Sequence, residues 1–420
     1  MTSEIKQRIE QIRRGEVPEG YVKTALGLAP ANWKRYTFGD IYTERKEPGD
    51  ENLPLLMVSI HSGVSDGEVD AAELPKQVKR IEDKSQYKKA VSGDLVFNMM
   101  RAWQGAIGTV RTTGMVSPAY IVAEPNDKVY PLFMDYYSRT PQMINQIDRQ
   151  SYGVTDFRKR LYWDSFAPIG CTLPPIEEQQ KIAAILTTQD KVIELKEKRL
   201  AEKQRQKKYF MQQLLTGKKR LPGFNGTWEK EKLGKCASMC SGGTPDTKNE
   251  KYYGNDYVWI SIKDMTSAGK YICSSERGLT EAGLLNCSAR LFPKGTILFA
   301  MYASIGECSI AETECCSSQA ILGIEPDSKL NNEFLYYLLS NSKGYFKSFG
   351  QASSQPNLNK GIVQSIVVQI PEIEEQAAIA EVLSTADREI ELLQQDIEQE
   401  KRKKKALMQL LLTGIVRVQT

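Results

Sequence analysis

The side chains best suited to chemistry in the first half of the chain form two short clusters of basic, amide and aromatic residues. The clusters consist of Arg101, Trp103 and Gln104, and of Arg149, Gln150, Tyr152, Arg158, Lys159 and Arg160. An arginine can donate two hydrogen bonds to guanine, and a glutamine amide can pair with adenine in the same bidentate way. A solvated loop is the simpler interpretation of any one of these residues. Their clustering favours a surface that contacts nucleic-acid bases.

The corresponding candidates in the second half of the chain are polar rather than basic. They are Lys263, Tyr302, Ser304, Ser353, Ser354, Gln355, Asn357, Asn359 and Lys360. Hydroxyl and amide groups of this kind bond either to base edges or to phosphates. The lysine-rich runs 203–208 and 401–405 are more typical of solvated helix faces, although they could also contact backbone phosphate or an acidic partner.

Catalytic motifs are missing from the sequence. His61 is its one histidine, which excludes histidine-based triads and histidine-rich metal sites. The chain has no phosphate-binding loop and no glycine-rich turn for a nucleotide or methyl-donor cofactor. Glu177 and Glu178 stand at a helix start, where we interpret them as helix caps and as parts of a solvated face. We therefore expect no catalytic residue, metal or cofactor on this chain, which leaves binding as its function.

The composition is typical of a soluble globular protein. The 420 residues carry a formal net charge of +4, which neither requires nor excludes nucleic acid, because a local basic face is sufficient. No apolar run is long enough to span a membrane, and the charged start of the chain does not resemble a secretory signal. The eight cysteines lack neighbouring histidines, so we expect reduced thiols and a cytoplasmic location.

A stretch that occurs twice must position the candidate residues. Its copies are residues 176–217 and 373–414, related without a gap by an offset of 197 residues (373 minus 176), and about half of their positions are identical. Each copy follows proline, begins with Ile-Glu-Glu-Gln and ends with Leu-Leu-Thr-Gly, so Gly217 and Gly414 suit a left-handed cap. The repeat predicts two equivalent long helices.

Apolar residues recur in both copies at alternating steps of three and four, which is the pattern of a coiled-coil seam. The predicted seam consists of Ile182, Leu186, Ile193, Leu200, Phe210 and Leu214 in the first copy, and of Ile379, Leu383, Ile390, Ile397, Leu407 and Leu411 in the second. A two-fold relation predicts antiparallel helices, with Ile182 near Leu411. Four polar positions are expected to set the register or to remain partly solvated: Lys203, Lys207, Glu400 and Lys404. The alternative is an ordinary amphipathic pair inside a globular core.

Two domains of one design are expected beside these helices. The predicted segments are an N-terminal helical arm and connector (1–32), a first domain (33–174), a central long helix (175–217), a connector with a second domain (218–370) and a C-terminal long helix (371–420). Strands are predicted at 53–60, 94–100, 106–110, 119–123, 166–169, 258–262 and 295–301. The fold class is therefore α+β: two similar α/β domains separated by two long antiparallel coiled-coil helices, in a pseudo-two-fold, circular repeat.

Two domains held apart by rigid helices fit a target with two recognition points. About 38 helical residues give a rod of ~57 Å, which exceeds the ~34 Å of one duplex turn. Domains at its ends would contact two half-sites with unread base pairs between them. Double-stranded DNA is therefore the expected partner.

The order of these segments resembles the specificity (HsdS) subunit of type I restriction-modification systems. The resemblance rests on Leu-Pro-Pro-Ile-Glu-Glu-Gln at 173–179, Gln-Leu-Leu-Thr-Gly at 213–217, and a connector that begins Leu-Pro-Gly-Phe at 221 and ends at Trp228. It covers essentially the whole chain. The second copy departs from Pro-Pro, with Pro371-Glu372, and we expect no consequence.

The resemblance implies that each domain is a target recognition domain for one half of a bipartite, asymmetric DNA site. It also implies that the paired helices set the spacer and dock two methyltransferase subunits, which bind S-adenosylmethionine and methylate adenine. A restriction motor-nuclease subunit would join to cleave unmodified DNA, and this chain would be non-catalytic. The recognition domains vary within the family, so the target sequence does not follow.

Three other interpretations remain open. The chain could be the specificity partner of a related methyltransferase-nuclease system without a motor, which the neighbouring genes would reveal. It could be a scaffold whose domains bind protein, and it would then show no site-specific retention on DNA. An enzyme with unfamiliar chemistry is the last alternative.

Overall fold

The computed structural model describes residues 3–24, 27–50, 52–61, 63–65, 86–153, 158–346 and 358–418. Over this part of the chain the fold is α+β, which confirms the predicted class, and both long helices are present, at Ile176–Leu214 and Ile373–Leu412. The chain forms two compact units. Unit 1 comprises Met1–Lys196 and Asp396–Thr420, and unit 2 comprises Glu197–Gln395. Each unit therefore contains one domain and a segment of each long helix.

Unit 1 begins with the helical arm and continues into the first domain. Its shorter helices are Ser3–Arg13, Phe38–Ile41, Pro131–Tyr137, Pro141–Arg149 and Trp163–Phe166, with a 3-10 turn at Ala102–Gln104. Its strands are Tyr21–Thr24, Gly27–Pro30, Lys34–Thr37, Tyr42–Glu44, Val58–Ser59, Gly63–Val64, Lys88–Ala90, Leu95–Asn98, Ile107–Thr109, Gly114–Val116, Tyr120–Pro125 and Gly170–Leu173.

A four-stranded antiparallel sheet forms the centre of unit 1. Its strands lie in the order Tyr42–Glu44, Tyr120–Pro125, Leu95–Asn98 and Ile107–Thr109. Both faces are buried: Leu95 and Phe97 enter one core, and Val96 enters a second, smaller core, because successive strand side chains alternate between faces. The larger core also contains Ile182 and Leu411 of the long helices. The domain of unit 1 therefore packs directly against the helix pair.

The two long helices pair in an antiparallel direction within unit 1. Ile182 near the start of one helix shares a core with Leu411 near the end of the other. Farther along, Lys196 bonds to Glu400 at 2.9 Å. Residue numbers thus rise along one helix while they fall along its partner.

Unit 2 repeats this plan of a mixed domain packed on the long helices. Its shorter helices are Leu233–Cys236, Ile262–Ala268, Glu281–Leu285, Asn332–Asn341 and Lys360–Ser365, with a 3-10 turn at Glu250–Tyr252. Its strands are Glu229–Lys232, Ala237–Ser241, Tyr253–Gly254, Tyr257–Ile260, Tyr271–Ile272, Gly278–Leu279, Ile297–Ala300, Cys308–Ala311, Cys316–Ser317, Ile321–Pro326 and Val367–Ile370.

The central sheet of unit 2 has five strands. Their order is Ala237–Ser241, Ile321–Pro326, Ile297–Ala300, Cys308–Ala311 and Tyr271–Ile272, with the last pair parallel. A second sheet has the order Tyr253–Gly254, Gly278–Leu279, Tyr257–Ile260 and Cys316–Ser317. Leu214 and Ile379 of the long helices share the main core of this unit, and Lys203 pairs with Glu389 at 2.5 Å, so the helices are antiparallel here as well.

Two predicted strands of the first domain are wrong in detail. The run 53–60 forms a strand only at Val58–Ser59. Residues 166–169 do not form a strand, because the helix Trp163–Phe166 ends there and the strand begins later, at Gly170–Leu173. Carbonyl oxygens in this segment instead accept two backbone N–H groups from the start of the nearby helix at residue 38, at 2.8 and 3.0 Å.

Candidate nucleic-acid interface

The first predicted cluster lies on a turn that follows a central strand of unit 1. Residues Ala102–Gln104 form a single 3-10 turn, and Gly105 ends it with a φ of 105°, a left-handed value that favours glycine. Arg101 and Gln104 are exposed, whereas Trp103 is half-buried and its indole N–H donates to a carbonyl of the same loop at 3.1 Å. The tryptophan holds the turn, and the two exposed side chains are accessible to a ligand.

The second predicted cluster lies beside the first. The Leu161 N–H donates to the Met99 carbonyl at 2.9 Å, which brings this segment against the turn. The Lys159 ammonium lies 4.9 Å from the centroid of the Trp103 ring and bonds to Asp148 at 2.7 Å. A cation over an indole face is attracted by the ring quadrupole. The structure therefore brings both predicted clusters of unit 1 into one surface.

The other predicted residues of this surface are open to solvent. Arg149 and Arg158 are exposed, and the Tyr152 side chain is 62% exposed. Within the described part of the chain, Arg101, Arg149 and Arg158 form no ion pair. Their guanidinium donors are therefore available for phosphates or base edges.

Unit 2 builds the same backbone frame. The Met301 N–H donates to the Ala320 carbonyl at 2.9 Å, as the Met99 N–H donates to the Ala119 carbonyl at 3.1 Å in unit 1. The Leu358 N–H donates to the Met301 carbonyl at 3.1 Å, which reproduces the contact of Leu161 in unit 1. These bonds place the turn after Met301 where unit 1 places its candidate turn.

The turn of unit 2 differs in length and conformation. It ends at Gly306 and is one residue shorter than the turn that ends at Gly105. Ala303 has a φ of 55° and is the one non-glycine residue in the described chain with positive φ. The predicted residues Tyr302 and Ser304 flank it, and both are half-buried. The shorter turn thus contains an alanine in the left-handed backbone conformation.

The remaining predicted residues of unit 2 are only partly placed. Lys263 is exposed and pairs with Glu276 at 2.5 Å. Lys360 is exposed at the first position of the helix Lys360–Ser365. Four predicted residues lie outside the described residues: Ser353, Ser354, Gln355 and Asn357.

The predicted seam residues are most deeply buried where the helices pack on the domains. The buried residues are Ile182, Leu186, Ile193, Ile397 and Leu411 in unit 1, and Leu214, Ile379 and Leu383 in unit 2. The half-buried residues are Leu407 in unit 1, and Leu200, Phe210 and Ile390 in unit 2.

The polar positions of the seam bond across the helix pair. The cross-helix partners are Lys404 with Asp190, Glu400 with Lys196 and Gln189, Lys203 with Glu389, and Lys207 with Asp387. The bonds from Lys196 and then Gln189 lower the pKa of Glu400 to about 2. Charged and polar partners that face each other across a helix pair favour one register, so these contacts support the observed register within each unit.

A lysine–aspartate–tyrosine node joins the domain of unit 1 to both long helices. The Tyr136 hydroxyl donates to Asp190 at 2.6 Å, and the Lys404 ammonium bonds to the same carboxylate and lies 5.4 Å from the Tyr136 ring centroid. Burial and the bond to the carboxylate raise the pKa of Tyr136. The equivalent node of unit 2 consists of Tyr337, Asp387 and Lys207.

A tryptophan and an arginine both bond to a glutamate near the start of each long helix, and we call this group the clamp. Arg417 bonds to both oxygens of Glu178, at 2.7 and 2.8 Å, and the Trp33 indole N–H donates to the same carboxylate at 3.3 Å. Glu178 is fully buried, so its interpretation as part of a solvated face is wrong. The clamp of unit 2 consists of Trp228, Glu375 and Arg220. Sequence reasoning missed the two arginines, although their spacing of 197 residues (417 minus 220) matches the repeat.

A glutamine clasp next to the clamp holds backbone atoms of each domain. The Gln179 amide accepts the Tyr130 N–H at 2.9 Å and donates to the carbonyls of Lys128 and Pro174, both at 3.0 Å. In unit 2, Gln376 makes the equivalent bonds at 2.8 to 2.9 Å, with Asn331, Lys329 and Pro371.

Among the described residues, no group of three or more histidine, cysteine, aspartate or glutamate side chains is placed to hold a metal ion. No helix in these ranges is long and apolar enough to cross a membrane.

Known proteins with related sequences share one description. A family profile described as the type I restriction modification DNA specificity domain matches residues 72–204 and 225–401. The putative type I restriction enzyme MjaX specificity subunit of Methanocaldococcus jannaschii is 25% identical over 441 aligned positions, which cover 96% of this chain and 98% of that protein. The MjaIX specificity subunit of the same organism is 36% identical over 167 residues, and this match covers 39% of each chain.

Solved structures share the fold. The HsdS subunit from Thermoanaerobacter tengcongensis matches with a TM-score of 0.51 at 19% identity, over 92% of this chain and 98% of that chain. The S subunit from M. genitalium matches with a TM-score of 0.57 at 12% identity, over 93% and 97%. Because the profile also covers most of the sequence, this chain belongs to the type I restriction-modification DNA specificity family.

Proposed function

We propose that this chain is the DNA specificity subunit of a type I restriction-modification complex, and that each unit recognises one half of a bipartite, asymmetric site. One observation carries the proposal: the two units hold equivalent turns on the same backbone frame but present different side chains there. Arg101 and Gln104 are exposed at the turn of unit 1, whereas Tyr302 and Ser304 occupy that of unit 2. Two turns with the same backbone support but different side chains suit a DNA site whose two halves have different sequences.

The long helices would set the spacer and dock two methyltransferase subunits. Leu195 and Leu392 occupy equivalent positions, 197 residues apart (392 minus 195), and are 65% and 64% exposed. The same exposed apolar side chain presented twice supports binding of two copies of one partner. We expect S-adenosylmethionine on that partner, a motor-nuclease subunit in the full complex, and no catalytic group on this chain. The complex would act in the cytoplasm.

Methylome sequencing tests the recognition role. A host that expresses this chain with its methyltransferase is compared with a host that expresses the methyltransferase alone. We expect a split motif with an unread gap, methylated only when this chain is present. Absence of any motif, with an active methyltransferase and a formed complex, would favour the scaffold interpretation instead.

Helix shortening tests the spacer role separately. Deletion of matching whole turns from both long helices removes about 5.4 Å per turn, so the unread gap should shrink while both half-sites stay the same. The control deletes no residues but replaces exposed helix residues other than Leu195 and Leu392 by alanine, and it should keep the original gap. An unchanged gap after shortening would contradict the spacer role.

A further inference from the structure

Unit 2 carries an arginine stacked on a tyrosine that sequence reasoning did not single out. The guanidinium carbon of Arg277 lies 3.4 Å from the centroid of the Tyr253 ring. The Tyr253 hydroxyl donates to the Pro245 carbonyl at 3.1 Å, and its ring meets Trp259 edge-on with centroids 6.1 Å apart. The Trp259 indole N–H donates to the Gly243 carbonyl at 2.9 Å. The tyrosine is thus fixed on two sides and supports the guanidinium group.

Arg277 has no acidic partner among the described residues. It is exposed, and the carboxylate of the adjacent Glu276 is already paired with Lys263 at 2.5 Å. The arginine therefore keeps its N–H donors for a ligand. A stacked guanidinium loses little conformational freedom on binding, because its plane is set in advance.

A series of contacts links the segment that carries Arg277 to the candidate turn of unit 2. The Met301 N–H at the turn donates to the Ala320 carbonyl at 2.9 Å. The neighbouring Gln319 N–H donates to the Thr244 hydroxyl at 3.4 Å. Thr244 precedes Pro245, whose carbonyl accepts the hydrogen bond from the Tyr253 hydroxyl. Successive contacts through Ala320, Gln319 and the loop at Thr244 therefore link the turn to the tyrosine that carries Arg277.

We infer that Arg277 recognises a guanine in the half-site bound by unit 2, with Tyr253 as its support. This inference rests on the proposed function. A planar guanidinium group presents two parallel N–H donors, which match the O6 and N7 acceptors of guanine in the major groove. No other base presents that pair of acceptors there, so the contact specifies one base pair. A phosphate contact would use the same donors but would not depend on the base.

Binding to duplexes that differ at single base pairs tests the contact in the assembled methyltransferase complex. Arg277→Ala should lose discrimination at one guanine by about tenfold or more, while all other positions and the gap stay unchanged. Arg277→Lys should also weaken discrimination, because an ammonium group lacks the planar fork that stacks on Tyr253 and presents two parallel donors. Tyr253→Leu removes the stack and should weaken discrimination at the same guanine, whereas Tyr253→Phe keeps the ring and should retain it.

Lys294→Ala is the matched control. Lys294 is an exposed cation at the opposite end of the strand Ile297–Ala300 from the turn, so its loss should leave recognition unchanged. Equal weakening of Arg277→Ala on every duplex would indicate a phosphate contact and overturn the inference. Unchanged recognition would overturn it as well, and both results would leave the proposed function intact. A wild-type complex that recognises no split site would instead overturn the proposed function, and the guanine contact with it.

Discussion

Unit 1 and unit 2 attach their domains to the long helices through the same three contacts, namely the node, the clamp and the clasp. They differ at the candidate DNA surface. The clamps of Glu178 and Glu375 each join a tryptophan and an arginine, and both glutamates are buried. The clasps of Gln179 and Gln376 repeat the same three bonds. The turns, in contrast, differ in length, backbone conformation and side chains. Support and recognition are therefore built from separate residues.

The difference between the turns has a physical origin in loop length. Unit 1 has one more residue and forms a 3-10 turn with ordinary backbone angles at Ala102–Gln104. Unit 2 closes the shorter connection with Ala303 at a φ of 55°. The frame thus accepts turns of different length, and the shorter one stores local strain.

Domain exchange should have the largest effect on this comparison. Replacement of residues 33–174 by the corresponding domain of another family member should change one half-site completely and leave the other half-site as it was. The reciprocal replacement of residues 218–370 should change only the other half. Methylome sequencing measures both outcomes. A single exchange that altered both halves would show that support and recognition are not separate.

Loss of a clamp carboxylate should have the largest effect of any single substitution. Glu178→Ala leaves Arg417 without its partner and should lower the stability of unit 1 by about 3 kcal/mol, the cost of breaking a buried pair. Glu375→Ala should cost unit 2 a similar amount, because Arg220 is equally enclosed. Native-state hydrogen exchange reports the two units separately. Different losses of stability in the two units would indicate that the two clamps, despite their shared geometry, do not contribute equally.

Glycine at the left-handed position should sharpen the contrast between the turns. Ala303→Gly should stabilise unit 2 by about 0.5–1 kcal/mol, because glycine adopts positive φ without a steric penalty. The matched change Ala102→Gly should destabilise unit 1, since it removes a buried methyl group from an unstrained turn. Thermal unfolding and hydrogen exchange measure both changes. Destabilisation by Ala303→Gly would mean that the left-handed alanine carries no strain.

Acidification should produce the smallest effect, through the seam. Glu400 has a folded-state pKa of about 2, below its ordinary 4.5, so it stabilises the fold above pH 4.5 and loses this contribution as the pH falls toward 2. Glu400→Gln should reduce the pH dependence of unfolding free energy in that window. Glu389→Gln should act in the same direction in unit 2, because its bond to Lys203 also lowers the pKa of Glu389. Identical acid titrations of variant and wild type would contradict the seam assignment.

The sequence predicted the parts of the fold that rest on periodicity. The offset of 197 residues and the apolar spacing indicated both long helices, and Ile182 does share a core with Leu411. Burial of Glu178 could not be predicted from local pattern, because its partner Arg417 is 239 residues away. The stack of Arg277 on Tyr253 depends on pairing between short strands that carry no strong sequence signal. Apolar contacts along the seam follow from the periodicity of the repeat, whereas polar partners that the fold brings together from distant segments do not.

The glutamine clasp has a consequence for how such genes can change. Gln179 and Gln376 bond to backbone N–H and carbonyl groups of their domains, and those groups are the same in almost every residue type. The clasp therefore places little demand on the amino-acid sequence of the domain it holds. Recombination within the DNA repeats that encode the long helices could replace one domain by an unrelated domain. The clasp would hold the new domain without further mutations. Selection could then act on the new DNA target without first repairing the attachment.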